Sequence, residues 1–476
     1  MQFNRISKNI LEQFRDIVGE DHVLINDEQL HDYSHDYTED LSFLPEVVLK
    51  PSSTKEVSSI MKICNRNLIP VTARGAGTGL SGGALPVHGG VILSMERFNK
   101  IISIDERNFQ ATVEPGVINQ VFQEAVMQLG LYYPPDPASK GSCFLGGNLA
   151  ECAGGPKAVK YGVTKDYVLN CELVLASGEI ILTGANVLKN STGYNLTQLL
   201  IGSEGTLGII TKIIFRLIPL PKENLLMLVP FFSAEKACEA VAAIFKSGIT
   251  PSALEFMERD CIEYVMKYVD VKIPLKDNIQ AHLIVEVDGN NKEILMQECE
   301  TISEILYRYE CDEILFAETA QQKTDLWRAR RSAGEAVKSH SVYKEEDTVV
   351  PRGELPALLK GVKAIGEKYG FRTVCYGHAG DGNLHVNIIK EEISDDDWKN
   401  KVPAGIREIF KLCVKLGGTI SGEHGIGYVQ KNYLDIAFSQ TQMELMKGIK
   451  KVFDPNGILN PGKIFPDSSK YIANEE

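Results

Sequence analysis

Two short segments carry the residues most able to do chemistry, Tyr376-Gly-His-Ala-Gly-Asp-Gly-Asn-Leu-His-Val-Asn387 and Ser421-Gly-Glu-His-Gly-Ile-Gly427. Both are so rich in glycine that little side-chain volume would surround their histidines. His378 and His385 lie seven residues apart, on one face of a helix but on opposite faces of a single strand. Asp381-Gly382-Asn383 between them reads as a turn, which lets the chain double back and bring both imidazoles together. With Glu423 they form a two-histidine, one-carboxylate set suited to zinc, iron or manganese. Three protein ligands leave room for substrate oxygens. His424 follows at once and is the spare base. A single glycine-flanked histidine is more simply explained by a turn or cap; four such groups in two segments of like composition point to one site.

A second kind of site is written in glycine. A strand expected over 69–72 runs into Arg74-Gly-Ala-Gly-Thr-Gly-Leu-Ser-Gly-Gly83. Gly75, Gly77, Gly79 and Gly82 remove side chains where a ligand must approach backbone, and successive N–H groups can form an anion-binding nest with Arg74 adding charge. A pyrophosphate suits such a loop, although a structural turn explains it equally well when taken alone. The spacing fails the dinucleotide fingerprint at its last glycine and no long helix follows, so neither a Rossmann nor a P-loop unit is expected. Further loops at Pro134-Pro-Asp-Pro137, Gly146 to Gly155, Lys160-Tyr-Gly162 and Leu200 to Ile209 favour the ligand reading, because together they suggest one long cofactor laid across a lobe.

The positioning elements fall in two styles. Residues 1–45 begin with a helix over 6–18. From 46 to 221 short strands dominate, with helices at 54–67 and 117–130 and the glycine-rich stretches read as loops. Pro51-Ser-Ser-Thr54 supplies the cap chemistry for the first of these helices. After Pro219 and Pro221, longer helices alternate with strands to about residue 410, including one helix over 325–339. That pattern predicts a mixed or antiparallel sheet with helices on one side. A closing segment, 411–476, contains a helix at 441–453 and then turns.

Composition bounds the function. The 476 residues suit two or three domains, and 44% hydrophobic with 24% charged content is that of an ordinary globular protein. A formal net charge of −13 without any basic block argues against a nucleic-acid partner. No apolar run reaches the roughly 18 residues of a spanning helix, so no transmembrane segment is expected. The first residues lack an apolar run before a cleavage site, so neither is a secretory leader. Ten cysteines without one Cys-x-x-Cys fit buried reduced thiols in a cytoplasmic protein that holds no iron–sulfur cluster of its own.

Taken together, these motifs resemble the FAD-linked oxidases of the vanillyl-alcohol oxidase (PCMH) fold, in the branch of D-lactate dehydrogenase, the flavin-bearing chain of glycolate oxidase, and D-2-hydroxyglutarate dehydrogenase. The resemblance runs from about Pro45 to Pro466 through Arg74–Gly83, Pro135-Asp136-Pro137, Gly146–Gly155, Gly202-Ser-Glu-Gly205, Gly377–His385, Gly422-Glu-His424 and Asn460-Pro-Gly462. It implies an α+β architecture: a two-lobed FAD-binding domain over 46–221, a ferredoxin-like substrate or cap domain over 222–410, and a C-terminal segment, 411–476, that returns to the flavin lobe. FAD is then expected on Arg74, Gly75, Ala76, Gly77, Thr78, Gly79, Ser81, Gly82, Pro135, Asp136, Ser142, Gly146, Gly147, Asn148, Ala153, Gly154, Gly162, Glu204, Gly208, Ile209 and Asn460. It would be held non-covalently, since Thr78 stands where tethering relatives often carry histidine.

The same resemblance, through Trp327-Arg-Ala-Arg330 and Tyr343-Lys344 followed by Asp347 and Pro351, implies that Arg330 clamps the substrate carboxylate and Lys344 adds positive charge, with Arg331 able to replace Arg330. It implies oxidation of a small D-2-hydroxy acid, D-lactate or glycolate, to the 2-oxo acid. His424 would be the base, Asn387 would orient substrate, and a divalent metal would sit on His378, His385 and Glu423. Gly334 stands where hydroxyglutarate enzymes tend to carry a threonine, which weakens that substrate. Electrons would pass to an external acceptor: a quinone, an iron–sulfur subunit or an electron-transfer flavoprotein, with the protein cytoplasmic or peripheral at the inner membrane. The rival readings are a D-2-hydroxyglutarate dehydrogenase, an oxygen-reducing oxidase and a non-catalytic flavin subunit.

Overall fold

Helix caps set the first elements. The Ser7 hydroxyl accepts from the Ile10 amide and starts the helix Lys8–Val18, two residues inside the expected 6–18. Ser53 does the same for Thr54–Asn67, which packs Val57, Ile60, Met61 and Cys64 onto a four-stranded sheet. The computed structural model describes residues 3–38 and 41–466; the parts of the expected terminal segments at 1–2, 39–40 and 467–476 lie outside the described residues.

In that sheet the order is Val23–Leu24, Val47–Leu49, Val91–Ser94, Val71–Arg74. The last strand begins two residues later than the pattern at 69–72 predicts and ends on Arg74. Its edge is completed by the C-terminal segment: the Val71 amide donates to the Ile458 carbonyl at 2.8 Å, and Val71 bridges Leu459 in parallel. A partner some 390 residues away cannot be read from local pattern. The second sheet of the lobe is antiparallel, in the order Ile101–Asp105, Gln110–Val113, Ile209–Arg216, Val168–Val174, Ile180–Leu182. The lobe also holds short helices at Leu145–Glu151, inside a stretch expected to be a glycine-rich loop, and at Ala158–Tyr161 and Leu196–Leu200, where no helix is expected.

The remaining chain builds a seven-stranded sheet in the order Leu315–Phe316, Glu223–Phe231, Ala281–Gly289, Ala253–Glu258, Arg372–His378, Asn383–Ile389, Tyr343–Val349. Its pairings are antiparallel. Helices cover both faces, not one. Met227, Val229 and Phe231 pack with Ala234–Lys246, Lys292–Tyr307, Leu355–Tyr369 and Val402–Lys415, whereas Leu226 and Leu228 pack with Arg259–Tyr268, Ala320–Arg331 and Ala333–His340. A strand apolar at both parities needs cover on both faces, since each fully buried aliphatic side chain contributes about 1.5–3 kcal/mol. The helix expected over 325–339 is two helices, meeting at Ser332, whose ψ of 0° breaks the first.

Ion pairs and hydrogen bonds join this domain to the lobe of 46–221. Lys160 reaches Asp288 at 2.6 Å and Tyr161 donates to the same carboxylate at 2.8 Å, while Glu286 takes Lys157 and the Trp327 indole.

Candidate active site

The hairpin Arg372–His378 and Asn383–Ile389 turns through Ala379–Asp381 and Gly382, whose φ of 83° suits glycine. Register places Tyr376 opposite His385, with His378 one alternation further on, so all three side chains leave the same face. The Ser421–Gly427 segment lies over that face. The Glu423 Oε1 atom is 3.2 Å from His378 Nε2 and 3.6 Å from His385 Nε2. The candidate ligand atoms of these three residues lie within 4.8 Å of one another.

Two carboxylates hold the segment in place. Asp347 Oδ2 accepts the amides of Gly422, Glu423 and His424 at 2.8, 2.7 and 2.8 Å and the Ser421 hydroxyl at 2.9 Å. Glu204, from the glycine-rich lobe, accepts the amides of Ile426 and Gly427 at 2.8 and 2.6 Å. Burial pushes the Glu204 carboxyl up to about 7, against those two amides and the charge of Lys463. The Glu423 carboxylate itself joins the lobes, since its Oε2 atom takes the Gly154 amide at 3.2 Å.

Glu255, a fully buried acid in the strand Ala253–Glu258, accepts from His378 Nδ1 at 2.8 Å and pairs with Arg330 at 2.7 Å. It therefore fixes the tautomer that leaves Nε2 facing Glu423, the arrangement that orients metal-ligating histidines. Burial works against charge on His378, yet Glu255 and Glu423 outweigh it and raise the imidazole to about 10. Burial likewise opposes ionisation of Glu423, but His378 and His385 hold it down at about 2. His385 is driven down to about 3 by burial and by His424. A proton caught between carboxylates is what a bound cation would replace, and Glu345, Asp347 and Asp381 add further acid nearby. The donor set fits a divalent metal. Glu255→Gln is expected to lower metal affinity by about 10- to 100-fold, measured as metal retained per protein after dialysis against a graded chelator.

His424 stacks on His385 with ring centroids 5.1 Å apart. Burial disfavours its charge, but Asp347, Glu345 and Glu423 prevail and raise its pKa. It faces one cavity of about 410 Å³ together with His378, His385, Glu423, Arg330, Glu345 and Tyr376. The other wall of the same cavity is the glycine-rich lobe: Arg74, Gly75, Ala76, Gly77, Thr78, Gly79, Ser142, Gly146, Gly147, Asn148, Ala153, Glu204, Gly208 and Ile209. A side chain built at Gly79 or Gly147 would meet nothing within 4 Å, so each leaves open space that a ligand can fill. One Arg74 Nη atom is buried without a hydrogen-bond partner among the described residues, as a donor awaiting an anion would be. The cradle fits a phosphate-bearing cofactor.

Several expected contacts lie behind this wall. The Ser81 carbonyl takes the amides of Tyr428 and Val429, and Gly82 packs against Tyr428. Pro135 offers its carbonyl to Asn119 and Gln123, and Asp136 pairs with Arg331 at 2.5 Å. Gly154 serves Glu423, Gly162 ends the helix Ala158–Tyr161, and the Asn460 amide donates to the Gly83 and Glu204 carbonyls at 2.9 and 2.8 Å. Gly146, Gly147 and Asn148 do line the cavity, but from the helix Leu145–Glu151 and not from a loop.

Lys344 is a correction. Strand alternation sends Tyr343 and Glu345 to the cavity and Lys344 to the far face, where its Nζ atom lies 6.0 Å from the Trp398 ring. Lys344→Met is expected to leave flavin reduction within about twofold of wild type, measured by steady-state kinetics. Asn387 is also displaced: it is buried one alternation beyond His385 and donates to the Val374 carbonyl at 3.4 Å, so it supports the cavity wall without lining it. Arg330 and Arg331 both line the cavity: Arg330 lies over the Tyr376 ring at 5.3 Å, and Arg331, its possible substitute, pairs with Asp136 and keeps one buried Nη atom without a partner among the described residues. Glu255, Glu345, Asp347 and Tyr376 were not assigned roles by sequence reasoning. Period-2 alternation back from Asp347, which stands opposite His385, would have exposed Glu345.

Comparison with known proteins bears on this geometry. A family model described as FAD binding domain matches residues 45–184, and one described as FAD linked oxidases, C-terminal domain, matches 220–464. The chain is 40% identical over 470 residues to a D-lactate dehydrogenase of Anaerostipes hadrus, covering 97% of this chain and 98% of that one. It is 38% identical over 474 residues to glycolate oxidase subunit GlcD of Bacillus subtilis, covering 99% and 100%, and 33% identical over 459 residues to D-2-hydroxyglutarate dehydrogenase of Stutzerimonas stutzeri, covering 96% and 98%. Among solved structures, p-cresol methylhydroxylase superposes with a TM-score of 0.79 at 21% identity, covering 96% of each chain, which shows the shared fold.

Proposed function

The chain belongs to the FAD-linked oxidase family, and from that premise we propose that it is a dehydrogenase that oxidises a small D-2-hydroxy acid, D-lactate or glycolate, to the 2-oxo acid. One observation carries this reading: His378, His385, Glu423 and His424 converge on the same cavity as the glycine cradle. FAD, held non-covalently over 46–221, supplies the two-electron acceptor for hydride from the substrate C2 atom. A divalent zinc, iron or manganese on His378, His385 and Glu423 supplies Lewis acidity that lowers the substrate hydroxyl pKa.

The protein's own groups do the rest. Arg330 takes the substrate carboxylate; its Nε atom is buried without a hydrogen-bond acceptor among the described residues, so it has a donor to spare. His424 takes the hydroxyl proton, and the surrounding carboxylates let it keep that proton. Asp347 and Glu204 hold the Ser421–Gly427 segment, with Glu423 and His424, over the sheet face that carries His378 and His385.

Electrons then leave to an external acceptor. A partner subunit is supported by relatives that are themselves named as glycolate oxidase subunits, with a quinone or an electron-transfer flavoprotein as the other acceptors. Among the described residues no helix is long and apolar enough to cross a membrane. Nine of the ten free cysteines are buried, which supports a reducing, cytoplasmic setting, with peripheral attachment at the inner membrane through the acceptor.

The test is turnover of D-lactate, L-lactate, glycolate and D-2-hydroxyglutarate with an artificial electron acceptor, following the 2-oxo acid formed. Oxidation confined to glycolate and D-acids is expected. A flavin-loaded protein that oxidises none of them overturns the reading in favour of an electron-transfer role, and stoichiometric peroxide in air makes it an oxidase.

A further inference from the structure

We propose that Arg331 sets the reduction potential of the bound flavin, its guanidinium charge standing beside the ring and favouring the reduced, anionic cofactor. This rests on the FAD reading above and goes further, to what the cap does for the cofactor. Arg331 lines the cavity from the last turn of the helix Ala320–Arg331, next to Arg330. Its partner belongs to the other lobe. One of its Nη atoms donates to Asp136 at 2.5 Å, and the other is buried with no acceptor among the described residues. The Asp136 amide donates to the Gly154 carbonyl at 3.2 Å, and the Gly154 amide donates to Glu423 at 3.2 Å. Arg331 therefore crosses the seam between the cap wall and the glycine-rich wall, two links from Glu423.

A substrate held on the cap wall can pass hydride to a cofactor held on the glycine-rich wall only where the two walls meet. Hydride brings two electrons and one proton, which leaves one negative charge on the ring. A cation at the seam stabilises that product more than the neutral ring it came from. Asp136 does not cancel the charge. It also pairs with Lys140 at 3.1 Å, so the two cations and one carboxylate together carry one net positive charge. Burial opposes ionisation of Asp136, but Arg331 and Lys140 hold it below the ordinary aspartate value. Arg330, by contrast, is matched by Glu255 at 2.7 Å.

The experiment measures the midpoint potential of the bound flavin by equilibration with a redox dye under chemical reduction, without substrate, in wild type, Arg331→Met, Arg331→Lys and Asp136→Asn. Arg331→Met is expected to shift the equilibrium about tenfold against reduction, which is about 30 mV downward for a two-electron couple. Arg331→Lys should keep the wild-type potential, and Asp136→Asn should move it upward. Glu335, Glu345 and Glu423 also line the cavity, but they are common to every variant, so the sign of each shift belongs to the charge removed. A role in joining the lobes alone would move the Met and Asn variants in the same direction or leave both unmoved, and either result overturns the proposal. Should Arg331→Met release its flavin, Asp136→Asn decides: a potential that stays or falls there overturns the proposal as well. Because no substrate is used, a flavin that no 2-hydroxy acid reduces sinks the activity reading and leaves this measurement standing, whereas a protein that binds no FAD removes premise and proposal together.

Discussion

Replacing His424 by alanine slows reduction of the flavin by about 10²- to 10⁴-fold while FAD stays bound. The size follows from the place of the imidazole. It is the cavity-lining base beside the His378, His385 and Glu423 set that is not itself one of that set, and its removal leaves the substrate hydroxyl without an acceptor for its proton. The glycine cradle is untouched by the change, so the flavin spectrum should survive. Stopped-flow bleaching under anaerobic conditions measures the loss. Near-normal bleaching in the variant removes His424 as the base and passes that role to another cavity group.

Asp347→Asn has the second largest expected effect, and it strikes through architecture. One Asp347 oxygen accepts three consecutive backbone amides and a hydroxyl from the segment that carries Glu423 and His424. Breaking such a buried charged cluster costs about 3–5 kcal/mol. The asparagine variant should therefore melt at lower temperature and retain less metal per flavin. Its residual activity should fall with its metal content.

The same carboxylate gives a signed pH effect. Burial alone would raise its pKa, but His424, His385 and the amides hold it well below the ordinary aspartate value. A depressed carboxyl contributes stability above its unfolded value, about 3.9, and loses it as pH falls towards the folded value. The stability gap between wild type and Asp347→Asn should be full at neutral pH and shrink below about pH 4. A gap that widens in acid would contradict the assignment.

What was legible in the chain was what is local. The turn at Asp381-Gly382-Asn383 brings His378 and His385 together because turn chemistry is decided within four residues, and Ser53 announced its helix for the same reason. The glycines of Arg74–Gly83 were likewise visible, since missing side chains are a property of the residues themselves. Register and long-range pairing were not. A slip of one residue on the strand Tyr343–Val349 exchanged Lys344 for Glu345 and so reversed the charge presented to the cavity. Arg330 and Arg331 both reach the cavity, and only the fold shows that Glu255 holds the first and Asp136, from the other lobe, the second. The helix Leu145–Glu151 hid behind two glycines that packing explains: a side chain at Gly146 would press on Pro115 at 2.5 Å, and Gly147 opens onto the cavity. Asp347 is visible as a motif position, but its partners lie 74 to 77 residues away and only the folded chain shows what it holds.

The most direct test of a metal-assisted dehydrogenase is anaerobic single-turnover bleaching of the flavin by D-lactate, with L-lactate as control, in enzyme as purified, after chelation, and after metal is restored. Bleaching by the D-acid alone is predicted, lost on chelation and recovered with zinc, iron or manganese. Full bleaching by D-lactate in protein shown to be free of metal would contradict the role given to His378, His385 and Glu423.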